Sequence, residues 1–363
     1  MEKQKICYGL VGCGTISDTH ARAIERTSEG QLTAVYSRNG DKASRFAREF
    51  DAEPYTDYET FLAHDKLDAV VICTPSGTHL DYGIAAARAG RHVVVEKPIE
   101  VNMERGRALL EACEKNGVRL TVIYQNRFID DVAAMKRAFD DGVLGQPVMV
   151  TASVKWFRDD EYYRNAPWRG TLKLDGGGAV INQAIHTVDL LQWIAGDIRE
   201  ISAYTGTLTH DGIEGEDNAV ACFRLSSGAL GVFQASTSIR PPQKRKLAIH
   251  GTEGTAVLDG DRLTIWKSNG EEVDPAGWRS GTNPEPGSQS AAKTGTSAKK
   301  ADSSTGSGAS APLAGMSFEN HYRQYETINA SLINGSEMAV SGEEALKSLA
   351  AVEALYQSAG RRK

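Results

Sequence analysis

Residues 174–193, LDGGGAVINQAIHTVDLLQW, gather several groups able to do chemistry into one short stretch. Three glycines lead into a mostly apolar run that carries Asn182, Gln183, His186 and Asp189. In a helix at about 100° per residue, Asn182, His186, Asp189 and Trp193 fall within about 60° of arc. Val180, Ile181, Ala184, Val188, Leu191, Ile194 and Ala195 take the opposite side. Such a stripe is either a solvated helix face or one wall of a site, and the pattern alone allows both. Histidine titrates near neutral pH, so His186 is suited to proton transfer.

A second candidate lies in HVVVEKPIE, where Glu96 and Lys97 follow an apolar strand-length run. That placement puts Lys97 at the carboxyl edge of a sheet, and Pro98 can hold a cis backbone that aims the lysine. Read alone, the pair also fits a charged loop flank. A third candidate is GLVGCGTIS. Gly12 makes a tight turn, Gly14 lets backbone approach a pyrophosphate, and Thr15 and Ile16 open the helix behind it. Ser17 takes the third glycine position of G-x-G-x-x-G as a small substitute. The second strand then ends in VYSRNGDKA, where a carboxylate for the ribose 2′-hydroxyl would normally stand. Ser37 and Arg38 occupy that place, which favours NADP over NAD because a guanidinium suits a 2′-phosphate. Arg38 as a solvated side chain, or stacked on adenine, is the alternative. In CTPSGTHL, Thr74, Pro75 and Ser76 are placed to line the cofactor, and His79 to reach it.

The elements that must carry these residues follow from hydrophobic periodicity. Apolar strand-length runs at 5–11, 31–36, 68–74, 92–96 and 119–124 alternate with helical patterns at 17–28, 41–50, 57–63, 79–89 and 102–116. That rhythm predicts βαβ units and a parallel sheet with helices on both faces. After Gln146 come longer strands with period-two alternation, interrupted by the helix at 179–195, which predict a largely antiparallel sheet. The boundary falls near residue 126. The Gly, Ser, Thr, Ala and Lys composition of 277–313 predicts a disordered insertion. Two helices, at about 317–333 and 342–360, close the chain.

The whole-chain balance narrows the classes. At 363 residues, 40% hydrophobic and 24% charged, the chain suits two soluble domains. A net charge of −6 and pI near 5.8 argue against a nucleic-acid partner. No apolar run approaches a membrane span, and the N-terminus lacks a signal-peptide pattern. Five cysteines without a CxxC pair read as reduced, mostly buried thiols of a cytoplasmic protein, and eight scattered histidines give no metal site.

Together, GLVGCGTIS, CTPSGTH, AGRHVVVEKP and GGGAVINQAIHTVDLLQW resemble the Gfo/Idh/MocA family of nicotinamide oxidoreductases, over nearly the whole chain except about 277–313. The resemblance implies an N-terminal Rossmann domain (1–126) and a C-terminal α/β domain (127–363) whose large, mainly antiparallel open sheet serves a homo-oligomer, dimer or tetramer. It implies hydride exchange between NADP or NAD and a secondary alcohol or ketone of a sugar, sugar derivative or cyclitol. Relatives acting on nucleotide-linked hexosamine derivatives look similar too. Lys97 matches the family's active-site lysine and His186 its histidine. Where many members carry Asp, this chain has Asn182, so acid–base work cannot be assigned there. Trp168 and Arg169 match a segment that approaches nicotinamide or substrate.

Oxidising a secondary alcohol requires its hydroxyl proton to leave, so His186 is the expected general base, with Lys97 stabilising alkoxide charge. Asn182 is expected to orient substrate or lysine, and Asp189 to fix the His186 tautomer. In VKWFRDDEYYRNAPWRGTLKLDGGG, Lys155, Arg158, Arg164, Arg169 and Lys173 stand among Trp156, Phe157, Tyr162, Tyr163 and Trp168, a mixture that suits a sugar site or an oligomer interface. The alternatives are a glycosidase-like enzyme using NAD without net redox, and a non-catalytic NAD(P)-binding regulator.

Overall fold

The computed structural model of the chain describes residues 5–268, 271–272 and 317–360. β1 (Ile6–Val11), β2 (Gly30–Tyr36), β3 (Glu53–Tyr55), β4 (Ala69–Ile72), β5 (His92–Val95) and β6 (Leu120–Val122) form one parallel sheet in the order β3-β2-β1-β4-β5-β6. Helices α1 (Thr15–Arg26), α2 (Gly40–Glu49), α3 (Tyr58–Leu62), α4 (His79–Arg88) and α5 (Met103–Lys115) cover it. Strands buried on both faces must be apolar throughout, and all four residues of β4 are buried. The strand order reverses between β1 and β4, which opens a crevice at their carboxyl ends.

After α6 (Asp130–Asp140) the chain enters an eight-stranded sheet. Its members are β7 (Pro147–Lys155), β8 (Ile198–Gly206), β9 (Asn218–Leu225), β10 (Leu230–Ser236), β11 (Lys246–Gly251), β12 (Gly254–Asp259), β13 (Arg262–Ser268) and β14 (Glu271–Glu272), in the order β14-β13-β12-β11-β7-β10-β9-β8. β7 and β10 run parallel and the other neighbours antiparallel. In β9, Ala219, Ala221, Phe223 and Leu225 face inward while alternate residues face out, as period two demands. The fold is therefore a Rossmann-type parallel sheet joined to a mainly antiparallel one, as the two rhythms in the sequence predict. β3, α6 and a short α7 (Asp160–Arg164) were not singled out there, and the 277–313 expectation lies outside the described residues.

The expected helix at 179–195 is two pieces: a π-helical turn over Ala179–Ala184 and α8 (Ile185–Ala195). α8 is interior nearly all round, packed between β7 and the C-terminal helix Gly342–Ser358. Its polar residues therefore find separate partners instead of forming one stripe. Asp189 accepts from Arg127 at 2.7 and 2.9 Å and from Ser348, and Trp193 lies under the Arg127 guanidinium at 5.1 Å. The other C-terminal helix, Glu319–Asn334, returns to the parallel sheet and packs on α1. There Tyr8 Oη donates to Asn329 Oδ1 at 2.6 Å, and the Tyr8 and Tyr325 rings meet edge to face. All five cysteines are free thiols, but against the expectation of mostly buried ones only Cys113 is buried: Cys7, Cys13 and Cys73 are half-buried and Cys222 is exposed on the outer face of β9. No described helix is long and apolar enough to cross a membrane.

Candidate active site

A cleft of about 1520 Å³ runs from the β1–α1 turn to the π-helical turn, between the two sheets. At one end Gly12, Gly14, Thr15 and Ile16 line it. Gly12 has φ +101°, and a Cβ there would sit 3.1 Å from the Cys73 carbonyl oxygen. A Cβ on Gly14 would meet nothing within 4 Å, so open space lies before the helix start. Ser17 is buried, and its Oγ accepts from Gly14 N at 3.1 Å, so the third position of the fingerprint closes the helix start through a hydroxyl.

Further along the same wall come Ser37, Arg38, Asn39, Lys42 and Arg45. Among the described residues, three cations and no carboxylate line this end of the cleft, and Asp41 is not among its walls. Thr74, Pro75 and Ser76 line the crevice from the end of β4. His79 does not. It is 1% exposed, and its ring nitrogens lie 3.1 Å from the Pro98 carbonyl oxygen and 3.0 Å from that of Thr74. The expectation that it reaches cofactor is corrected: its ring lies buried between the backbone carbonyls of two cleft loops.

Lys97 leaves the end of β5 across a cis Lys97–Pro98 peptide, and its Nζ donates to the backbone carbonyl of Asn182 at 2.9 Å. The π-helical turn delivers that carbonyl. Its entry is possible because Gly178 lets the backbone pass against residue 216; a Cβ on Gly178 would sit 2.0 Å from the Glu216 carbonyl oxygen. Glu216 fixes the turn further, accepting from Val180 N and Tyr356 Oη, each at 2.8 Å. His186 lines the same cleft, edge to face with Tyr124 at 5.7 Å, and its Nδ1 has no hydrogen-bond partner among the described residues. Burial, then the Lys97 charge, hold His186 well below its ordinary pKa, which favours the neutral ring. Burial likewise lowers Lys97, against the opposing pull of Glu96 and Asp175. Asp189 is not on His186, since Arg127 and Ser348 hold it.

Sequence reasoning missed Asp175, the residue before the three glycines. It is 1% exposed, accepting Asn182 Nδ2 at 2.5 Å and Gly170 N at 2.8 Å. Burial raises its carboxyl to about 6, and the Gly170 and Asn182 bonds oppose that rise. Its only signal was position: an acid at the mouth of a glycine run. Glu96 lines the cleft beside Lys97. Burial would raise its carboxyl, but the bond from His20 Nε2 at 2.9 Å and the His20 and Lys97 charges bring it down to about 2. Buried His321 also faces it at 3.9 Å, so three histidine and glutamate residues scattered in sequence converge. The His20–Glu96 separation is that of a hydrogen bond, and His20 Nδ1 is taken by Tyr325 Oη at 2.8 Å.

From the second domain Trp156, Phe157, Arg158, Tyr162, Trp168 and Arg169 enter the cleft. The Tyr162 ring carries the Arg169 guanidinium at 4.0 Å and that of Arg158 at 5.2 Å. Gln183 Nε2 donates to Tyr162 Oη, and Arg158 Nη2 to Gln183 Oε1, each at 2.8 Å. Arg164 and Lys173 are exposed outside the cleft. Arg245, unremarked in the sequence, lines it while paired to Asp261 at 2.7 Å.

Comparison with known proteins agrees with this geometry. The family model described as "Oxidoreductase family, NAD-binding Rossmann fold" matches residues 6–124, and that of the GFO/IDH/MocA C-terminal domain matches residues 132–257. The chain is 30% identical over 284 residues to scyllo-inositol 2-dehydrogenase (NAD(+)) of Bacillus subtilis, covering 76% of this chain and 80% of that one. It is 26% identical to inositol 2-dehydrogenase of Rhizobium meliloti over 98% and 97% of the two chains. The WlbA dehydrogenase of Bordetella pertussis, solved in complex with NADH and UDP-GlcNAcA, superposes with a TM-score of 0.84 at 33% identity, over 99% of this chain and 97% of that one.

Proposed function

The chain belongs to the Gfo/Idh/MocA family of oxidoreductases, and on that premise we propose that it oxidises or reduces one CH–OH carbon of a sugar, sugar derivative or cyclitol with a nicotinamide dinucleotide. The observation that carries the reading is that Lys97 and His186 line the same cleft as the Gly12–Ile16 turn. A bound dinucleotide supplies the hydride acceptor or donor. His186, held neutral, takes the hydroxyl proton in oxidation and returns it in reduction. Lys97 Nζ faces the charge that develops on the same oxygen. Residues 1–126 hold the nucleotide, with Gly12, Gly14, Thr15, Ile16, Ser37, Arg38, Thr74, Pro75, Ser76 and Glu96 along it, and 127–363 bring Trp168, Arg169, Asn182 and His186 to the reacting end. Arg38, Lys42 and Arg45 on a cleft wall to which no described carboxylate contributes support NADP over NAD. Arg158 and Arg169 around Tyr162 support an acidic or nucleotide-linked sugar.

The test is absorbance at 340 nm with NADP⁺ or NAD⁺ and a panel holding scyllo-inositol, myo-inositol and UDP-GlcNAcA. Turnover with at least one is expected, with NADP⁺ preferred and Arg38→Ala erasing that preference. His186→Ala lowers kcat by roughly 10²- to 10⁴-fold. Full activity in His186→Ala would refute the mechanism. Aglycone release with no change at 340 nm would point to the glycosidase-like alternative.

A further inference from the structure

The carboxylate expected four residues before the histidine is absent, yet a buried one, Asp175, stands behind the cleft wall on Asn182. Asp175 reaches the Asn182 side chain from outside the helix, across the glycine run. The geometry around it is over-determined. A carboxylate only accepts, so Asn182 must present Nδ2 to Asp175, which leaves Asn182 Oδ1 to accept from Gln183 Nε2 at 2.9 Å. The amide therefore cannot flip. On the backbone of the same residue sits the carbonyl that receives Lys97 Nζ. Asp175 and Lys97 also act on each other's charge, with Arg169 the next cation to the carboxylate. A buried carboxylate held only by an amide and one N–H would be costly, and Lys97 is the cation that offsets it.

We propose that Asp175 is a positioning residue for the reaction: through Asn182 it fixes the carbonyl that aims Lys97. Its negative charge, after that of Glu96, also favours the ammonium form of Lys97. This rests on the reading of Lys97 and His186 as the reacting pair. The neutral amide at 182 and the acid at 175 are then one device divided between two positions. Lys97 donates to the backbone of 182, not to its side chain, so the device tolerates exchanging the two side-chain types.

Three variants test it: Asp175→Asn, the exchange Asp175→Asn with Asn182→Asp, and Lys97→Met. Steady-state kinetics use the fastest substrate of the panel above, with cofactor affinity and melting temperature measured alongside. Asp175→Asn is expected to lower kcat roughly 10- to 100-fold with cofactor Kd nearly unchanged, as expected when an aimed group is misplaced. The exchange variant is expected to regain most of that loss. Independently of any substrate, reductive methylation of Lys97 at pH 8, read by mass spectrometry, is expected to run several-fold faster in Asp175→Asn. Loss of the carboxylate raises the fraction of free amine there. Wild-type kcat and methylation rate in Asp175→Asn overturn the proposal, as does an exchange variant no better than a folded single variant. Should Asp175→Asn not fold, Asn182→Ala cuts the same link with the acid retained, and wild-type kcat there is equally fatal. Lys97→Met separates the two readings. If it keeps full kcat, the role of Lys97 itself falls; if it is inactive while Asp175→Asn is not, only the present inference falls.

Discussion

Glu96 sits where a buried acid meets both the cleft and the hydrogen bond from His20. Its carboxyl lies near 2 in the folded chain against an ordinary 4.5, so its ionised form is favoured by folding. A depressed acid contributes stability that is present above the unfolded value and lost as pH falls through the folded one. Glu96→Gln should therefore cost roughly 3 kcal/mol at pH 7, with the gap to wild type closing between about pH 4.5 and 2. Urea unfolding across that range checks it, and a gap independent of pH would refute it. At this scale the sequence was partly readable. Lys97 could be placed because the end of an apolar strand fixes which edge of the sheet a residue occupies. Asp175 could not, because its meaning lies in contact with a side chain across a glycine run whose path no periodicity encodes. His79 was misplaced for the converse reason: a polar residue beside a cofactor strand looks like a ligand until the two carbonyls facing its ring are known.

Among the elements, the stretch 174–193 carries the clearest lesson. Helical spacing predicted one stripe of three polar residues and Trp193, and the chain divides them between the cleft and a buried ion pair with Arg127. The spacing rule assumes a regular helix with one wet face, whereas here the start is a wider π-helical turn and α8 is covered nearly all round. The glycines before it are required by close packing as much as by conformation. Gly178→Ala would drive a methyl against the Glu216 carbonyl, and a loss of about 3 kcal/mol is expected in urea unfolding. Gly14→Ala meets no such obstacle, so its effect should appear in cofactor affinity with stability nearly unchanged. Equal losses of stability in the two variants would contradict this account.

For the molecule as a whole, alternation in the second sheet leaves one broad face that no described residue covers. Met149, Tyr204, Val220, Leu230 and Val232 are 45–80% exposed, and the strand register sets Tyr204, Val220 and Val232 on that same side. A soluble chain rarely leaves so contiguous an apolar face bare, so a second copy is its expected cover. Val220→Lys with Val232→Lys should lower the mass seen by light scattering to that of one chain while leaving the fold intact; a wild type that already runs as one chain would sink this. The two rhythms of the sequence foretold both sheets, since each is a local repeat. They could not foretell that Glu319–Asn334 would lie on α1, a contact between distant parts of the chain. That return has a consequence for how the protein is made. Tyr8 in the first strand finds Tyr325 and Asn329 only after some three hundred intervening residues have left the ribosome. Until then one flank of the nucleotide half stands bare, so its final closure is a late, non-local step, and the nascent chain is most in need of chaperone cover during synthesis of its second half.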